Sequence, residues 1–424
     1  MKIEQLHSLF LSCSAANTDT RTTQKNDMFF ALKGEHFNGN TFAEKAIQLG
    51  AKYAVVDDRR YVLSSQYILV PNVLTTLQEL AAYHRTYLGI PILALTGSNG
   101  KTTTKELIHT VLSKKVNVVA TKGNLNNHIG VPLTLLTMNK TTEMGIVEMG
   151  ANHLGEIDFL TQIVKPDYGY ITNFGKAHLE GFGSVEGIIQ GKSELYDYLI
   201  ANHKCVFVNG NDSIQLQKTK HAKRFVFGAM DTNPDVVVVL TSCTPNVCVT
   251  YANLQINSNL IGNYNFSNIA AAIAIGHYFG IDANVIKDAI EAYVPKNNRS
   301  QILKTGTNKI ILDAYNANPT SMEAAIKNMS QLPDKNKVLI LGDMFELGNS
   351  SEAEHQAIID LAIRLNFNSI IVIGKNFFIT KTPECITKYK TFDEFKMQYT
   401  PITNSSILIK GSRGMALERT LEFL

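Results

Sequence analysis

The chain has 424 residues, 45% of them hydrophobic, enough for two or three domains with substantial apolar cores. Its formal charge of +3 is nearly balanced, which argues against a binder of nucleic acid or other polyanions. Five scattered cysteines form no Cys-x-x-Cys pair, and neither the start of the chain nor any other stretch is apolar over a signal-peptide or membrane-spanning length; this excludes a zinc site of that type and an integral membrane segment, and fits reduced thiols in a cytoplasm.

Residues 1–88 read as a small α/β domain. Met28 to Leu32 is an apolar strand candidate, followed by Lys33-Gly34 and Asn38-Gly39, which read most simply as turns. Phe42 to Leu49 has a helix pattern ending at Gly50, Tyr53 to Val56 is a second strand, and Leu74 to Tyr87 is a helix leading to Gly89 and Pro91.

Residues 89–295 form the expected central domain. The apolar run Ile90 to Leu95 ends in Thr96-Gly-Ser-Asn-Gly-Lys-Thr102, and a helix pattern opens behind it with Leu107, Ile108, Val111 and Leu112 on one face. Strand, glycine loop and helix together can hold a nucleotide triphosphate. Gly97 and Gly100 let the backbone N–H groups converge, and the helix start adds free donors there. Lys101 can reach the β- and γ-phosphates, and the Thr102 hydroxyl can ligate magnesium. Leu95 stands where the full Walker pattern has a glycine, so the competing reading is a plain strand-to-helix turn.

Further along, Asn126 and Asn127 belong to a run of amides before an apolar helix pattern. They suit phosphate or peptide oxygens, or equally a polar loop with a helix cap. Glu148 ends a buried-strand pattern, where a carboxylate can hold magnesium or simply cap a helix. His178 follows another strand end; a lone histidine is more often structural, and magnesium prefers oxygen. Lys192, in a helix pattern, reads as a solvated surface lysine. Arg224–Phe227, Val236–Val239 and Val247–Thr250 suggest an antiparallel patch on the side of the domain.

Residues 296–424 show four apolar strands at α/β spacing, Ile310–Leu312, Val338–Leu341, Ile370–Ile373 and Ile407–Ile409, each ending in small or polar residues. This is a Rossmann-like parallel sheet without Gly-x-Gly-x-x-Gly, so it need not bind a dinucleotide. Its polar edge could close over a nucleotide held by the central domain.

The short loop Gly-x-x-Gly-Lys-Thr-Thr resembles the ATP-dependent Mur ligase and folylpolyglutamate synthetase superfamily. With Asn124 to Leu133, Glu148 to Asn152, Asn173 to His178, Lys192-Ser-Glu194, Asp313 to Pro319, Leu341 to Gly348 and Lys410 to Arg413, the chain closely resembles, over its whole length, the Mur ligases that add D-alanyl-D-alanine. The resemblance implies three α/β domains: a UDP-substrate domain, a central ATPase-like domain and a C-terminal Rossmann-like domain. It implies ATP and Mg2+, UDP-N-acetylmuramoyl-tripeptide and D-alanyl-D-alanine as substrates, no nucleic-acid partner, and a monomer. The nucleotide loop would be Gly97, Ser98, Asn99, Gly100, Lys101, Thr102 and Thr103. Thr102, Glu148, His178 and a carbamylated Lys192 would form the metal site. Asn268 would contact adenine, Arg299 the γ-phosphate and Asp313 the ribose. Asn316, Asn318, Ser412 and Arg413 would lie near the dipeptide or the closing interface, and Asn126 and Asn127 would bind substrate. Thr20, Arg21, Lys33 and Gly34 match the pattern for the UDP end; Asp19-Thr20-Arg21 and Asn38-Gly39-Asn40 stand where the family usually has Asp-Ser-Arg and Asp-Gly-His. The nearest alternatives are a sister ligase or a non-catalytic nucleotide switch; against a GTPase, Asn139-Lys140-Thr141 lacks the aspartate that would read guanine.

Overall fold

The computed structural model describes residues 1–296 and 298–424. Its centre is a parallel sheet ordered Val236–Val237, Lys223–Gly228, Cys205–Asn209, Tyr168–Ile171, Ile92–Thr96, Met144–Glu148 and Val118–Ala120. Strand Ile92–Thr96 is buried along its whole length, as a strand covered on both faces must be. Successive side chains point to opposite faces and therefore join different cores. Leu93 and Leu95 pack with Leu107, Ile108 and Val111 of helix Lys101–Leu112 and Ile269 to Ile275 of helix Phe266–Tyr278. Ile92 and Ala94 pack on the other side with Leu77 and Leu80 of helix Val73–Leu88, Val131 and Leu135 of helix Gly130–Leu136, and Leu195 of helix Val185–Ala201. The chain leaves Ile92–Thr96, skips a position to Val118–Ala120, and later crosses back to Tyr168–Ile171 on its other side. The end of Ile92–Thr96 is thus the switch point where a parallel sheet opens a crevice.

The antiparallel patch is smaller than its sequence suggests. Lys223–Gly228 and Val236–Val237 extend the main sheet in parallel, leaving Val239–Ser242, Cys248–Tyr251 and Leu254–Asn257 as the antiparallel part. The crossover before Lys223 is helix Ser213–Lys218, only 6 residues and mostly polar, which hides it in the sequence. The residues read as turns near Lys33 form a short antiparallel ladder, Lys33–Gly34 with Phe37–Asn38.

The N-terminal sheet is parallel, Ala16–Asn17, Met28–Phe30, Tyr53–Val56 and Tyr67–Leu69. Helix Val73–Leu88 packs on it and on the central domain at once. Two enclosed imidazoles tie these parts together. His7 Nε2 lies 2.9 Å from His84 Nδ1, and His84 Nε2 lies 2.8 Å from the Met138 carbonyl oxygen. The carbonyl can only accept, so His84 donates to it and accepts from His7. The Tyr83 and Tyr87 rings close the other side of His7. Burial lowers the pKa of both imidazoles; the charge of His84 lowers His7 further, while the hydrogen bond to the Met138 carbonyl opposes the shift of His84. A folded state that binds these protons less readily than the unfolded one loses stability as pH falls below the free histidine value of about 6.5. The thermal midpoint should therefore drop from about pH 7.5 to about pH 5, and His84→Gln should flatten that slope; an unchanged slope in the variant would sink this assignment.

The C-terminal sheet runs Gln301–Thr305, Asn308–Leu312, Ser406–Lys410, Lys337–Gly342, Ser369–Ile373 and Ile386–Tyr389. The four strands expected from the sequence form its parallel core. Gln301–Thr305 pairs antiparallel at one edge; Ile302 and Leu303 are its only apolar residues, too short a run to read.

Candidate active site

The loop after Ile92–Thr96 is built for close backbone approach. Gly97 has φ 139° and Gly100 φ 79°, the left-handed region that favours glycine. A Cβ on Gly97 would strike the Thr172 side chain, and one on Gly100 would sit 2.5 Å from Asn268 Oδ1. The neighbouring strand end pins the loop: Ser98 N donates to the Asn173 carbonyl (3.0 Å), Asn99 N to Asn173 Oδ1 (3.1 Å), and Thr172 Oγ1 to the Asn99 carbonyl (2.6 Å). Lys101 Nζ folds back on the Gly97 and Ser98 carbonyls at 2.7 and 3.3 Å. Ser98 Oγ is buried with no partner among the described residues. An orphan hydroxyl, free N–H groups and a half-buried ammonium at the start of a 12-residue helix fit a phosphate chain. Gly97→Ala should cut nucleotide affinity about tenfold or more, since the loop must move to clear Thr172; titration with ADP checks it, and unchanged affinity refutes the fit.

Glu148 ends strand Met144–Glu148 and is 1% exposed. Its carboxylate accepts from Thr102 Oγ1 (2.9 Å) and Asn126 Nδ2 (2.9 Å). Lys105 Nζ stands 3.9 Å away and donates to the Thr121 carbonyl at 2.6 Å. Burial lowers the pKa of Lys105 while Glu148 raises it. Lys101 is lowered too, by burial first, with Glu148 opposing and Arg299 assisting. A buried carboxylate beside a hydroxyl is an oxygen donor set for a hard cation. Among the described residues no three His, Cys, Asp or Glu side chains converge on one point.

Lys192 is 1% exposed, not a solvated surface lysine. Helix Val185–Ala201 turns it inward among Leu195 and Leu199, and Nζ donates to the Ala151 carbonyl at 2.9 Å, 5.0 Å from the Phe182 ring centre. Its pKa lies well below the usual lysine value, chiefly through burial and next through the charge of Lys101; Glu156 and Glu194 oppose the shift. His178 caps helix Leu179–Phe182 with φ 55°, and its Nδ1 meets the Glu346 carboxylate of the C-terminal domain.

A cavity of about 590 Å³ joins these groups to the C-terminal domain. Ser98, Asn99, Gly100, Lys101, Thr102, Thr103, Asn126, Asn127, Glu148, His178 and Asn268 line it from the central domain; Arg299, Asp313, Asn316 and Asn318 line it from the other side. Arg299 stacks its guanidinium 3.6 Å over Tyr315. Asp313 accepts from Ser300 N (3.0 Å) and pairs with the buried Lys410 at 2.5 Å. Asn318 Nδ2 crosses the domain boundary to Asn99 Oδ1 at 2.7 Å. Asn268 Nδ2 donates to Asn265 Oδ1, and its Oδ1 accepts from the Thr104 hydroxyl.

Other expected residues stand apart from this cavity. Gly97 lies behind the loop, and Lys192 one residue layer behind Ala151, which does line it. Ser412 is buried, donating to the Ala317 carbonyl and accepting from Phe345 N; Arg413 is exposed and paired with Glu418 at 2.7 Å. Thr20, Arg21, Lys33 and Gly34 belong to the N-terminal domain, where Arg21 holds Asp19 at 2.6 Å and Lys33 holds Asp57 at 2.7 Å. Reading the sequence missed Lys105, Tyr315, Lys410 and Glu346. Each lies inside or beside a quoted motif, but only the fold shows what it touches.

Three family descriptions match in chain order: Mur ligase family, catalytic domain, over residues 14–90; Mur ligase middle domain over 95–276; and Mur ligase, glutamate ligase domain over 298–410. The UDP-N-acetylmuramoyl-tripeptide–D-alanyl-D-alanine ligase of Bacillus subtilis is 34% identical, covering 96% of this chain and 92% of its own. The chain belongs to the Mur ligase family. The Escherichia coli ligase of the same name is 30% identical over 99% of this chain and 95% of its own. MurF from Acinetobacter baumannii superposes with a TM-score of 0.84 at 30% identity, over 99% of this chain and 97% of that one. MurF from Thermotoga maritima in complex with ADP gives 0.84 at 25% identity, over 98% and 97%. This Mur ligase has the family's three-domain α/β architecture and is an ATP-dependent ligase.

Proposed function

We propose that the cavity between the central and C-terminal domains aligns ATP with the two substrates named for the relatives. The chain joins D-alanyl-D-alanine to UDP-N-acetylmuramoyl-tripeptide, giving the UDP-pentapeptide, ADP and phosphate. The observation that carries the site is one cavity lined at once by the phosphate loop, the acidic strand end and the cations of the second domain. The domains divide as 1–88 for the UDP substrate, 89–295 for ATP and 296–424 for closure.

The terminal carboxylate of the tripeptide attacks the γ-phosphorus, the bond to the bridging oxygen breaks, and ADP leaves. The amine of D-alanyl-D-alanine then attacks the acyl carbon, phosphate departs, and the amine gives up its proton. Phosphoryl transfer needs alignment and charge neutralisation more than covalent help. Gly100 to Thr103 offer N–H groups to the phosphates and Ser98 offers its hydroxyl, while Lys101 and Arg299 approach their charge from two sides. Asp313 and Lys410 shape the nucleoside side, and Asn268 braces Gly100 near the base. Asn126, Asn127, Asn316 and Asn318 offer amides to peptide oxygens. Ser412 and Arg413 brace that closing edge, and Thr20, Arg21, Lys33 and Gly34 hold the UDP end.

Mg2+ would be held by Thr102, Glu148, His178 and a carbamylated Lys192, and when bound it would offset repulsion between the carboxylate and the γ-phosphate. The carbamate matters because amine and imidazole alone are poor partners for a hard cation. Contacts between the domains exclude water that would hydrolyse the acyl phosphate. The chain acts as a cytoplasmic monomer. The test is phosphate release from ATP with each substrate alone and both together, with mass spectrometry of the product. Release that needs both substrates and yields the UDP-pentapeptide is expected; release indifferent to D-alanyl-D-alanine would overturn the reading.

A further inference from the structure

The segment from Asn173 to Glu180 is gripped from two sides. Asn173 is bound to the nucleotide loop. From the C-terminal domain, Thr320 Oγ1 accepts from Lys176 N (2.9 Å), Glu354 pairs with Lys176 Nζ (2.7 Å), and the Glu346 carbonyl accepts from Glu180 N (3.2 Å). Between these contacts the Glu346 carboxylate meets His178 Nδ1. His178 and Glu346 have φ 55° and 62°, a conformation that L side chains enter only when surroundings impose it.

The C-terminal domain supplies those surroundings for Glu346. Asp343 accepts from Asn376 N and Phe377 N, His355 Nε2 accepts from Met344 N, and Ser412 Oγ accepts from Phe345 N. Residues 343–345 are therefore each anchored just before Glu346. The Glu346 side chain itself is 51% exposed, so its removal opens no core.

A carboxylate only accepts, so His178 carries a proton on Nδ1, and the neutral ring then keeps its lone pair on Nε2. A carboxylate that fixes the tautomer and ring angle in this way is how proteins prepare an imidazole to act with its other nitrogen. We propose that Glu346 is a positioning residue: when the C-terminal domain is docked, its carboxylate holds His178 as the Nδ1–H tautomer with Nε2 free for the cavity. The C-terminal domain thereby completes a group that the central domain holds only in part. This rests on the ligase reading above for its consequence in turnover, but not for the tautomer.

The test combines imidazole nitrogen NMR of the full chain, without substrates, with steady-state kinetics. The His178 signal, assigned by difference from His178→Ala, should show the Nδ1–H form, and Glu346→Ala should turn it into a tautomer mixture. Glu346→Ala should lower kcat about 10- to 100-fold and leave ADP affinity and the thermal midpoint unchanged. Glu346→Gln keeps an acceptor for Nδ1–H and should recover most of the loss. Adding Glu346→Ala to His178→Ala should cost nothing further. Lys176→Ala breaks the neighbouring pair across the same seam and should stay near wild type. An unchanged imidazole spectrum, no rescue by glutamine, full additivity with His178→Ala, or an equal loss in Lys176→Ala would each overturn the proposal. If wild-type phosphate release ignores the substrates while the spectrum changes as stated, the ligase reading fails and the positioning role stands.

Discussion

Lys101→Ala should reduce turnover about a thousandfold or more while leaving the protein folded. Nζ is the one ammonium seated inside the phosphate loop, bonded to the Gly97 and Ser98 carbonyls. Burial lowers its pKa, so the free protein bears the cost of holding that charge, and a polyphosphate relieves it. Two results follow together. The ligand-free variant should melt no lower than wild type, and Lys101→Met, which keeps the stem, should melt slightly higher. The rise in melting temperature that wild type shows with ADP should nearly vanish in both. Near-normal phosphate release in Lys101→Ala would refute the assigned site. A variant that fails to fold would refute the strain argument, and the methionine variant then still tests the site.

The strand, glycine loop and helix around Lys101 were legible because each demands its own residue pattern. The run Ile92 to Thr96 is apolar on both faces, two glycines sit where φ is positive, and the helix face repeats at 3, 4 and 7 residues. The C-terminal sheet was legible for the same reason, apart from its two edge strands, Gln301–Thr305 and Ile386–Tyr389, neither of which has an apolar run of more than two residues. Lys192 was not legible on its own. Nothing in Gly191-Lys192-Ser193 tells a buried lysine from a solvated one; its burial comes from Phe182, Leu195 and the main-chain turn at Ala151, all fixed by tertiary packing. Glu346 shows a stronger form of the same limit. Its partner His178 is 168 residues away and on another domain. Family resemblance supplied the motif around each of these residues. Only the fold showed that one lysine is dry and that one glutamate faces a histidine.

Lys192→Ala should cost about as much as Lys101→Ala, for a different reason. An amine reacts with CO2 only when neutral: its lone pair attacks carbon, an N–C bond forms, and one proton is lost. Most surface lysines are protonated at neutral pH and do not do this. Here burial, assisted by the charge of Lys101, favours the neutral amine well below the usual lysine range. The product is a carboxylate-like anion a short reach from Ala151, which lines the cavity. Carbamylation would replace a cation that repels Lys101 with an anion that attracts it, and would add an oxygen donor behind the part of the cavity that Ala151 lines. Protein equilibrated with 13C-bicarbonate should show a carbamate carbonyl signal that is missing in Lys192→Ala. Turnover of that variant should recover in part when formate or acetate fills the space. Lys192→Arg should stay inactive and unrescued, because a guanidinium keeps the charge and blocks the space. Wild-type protein without the carbamate signal, at full activity after removal of bicarbonate, would leave Lys192 as a buried structural amine and return the third oxygen of the metal site to water.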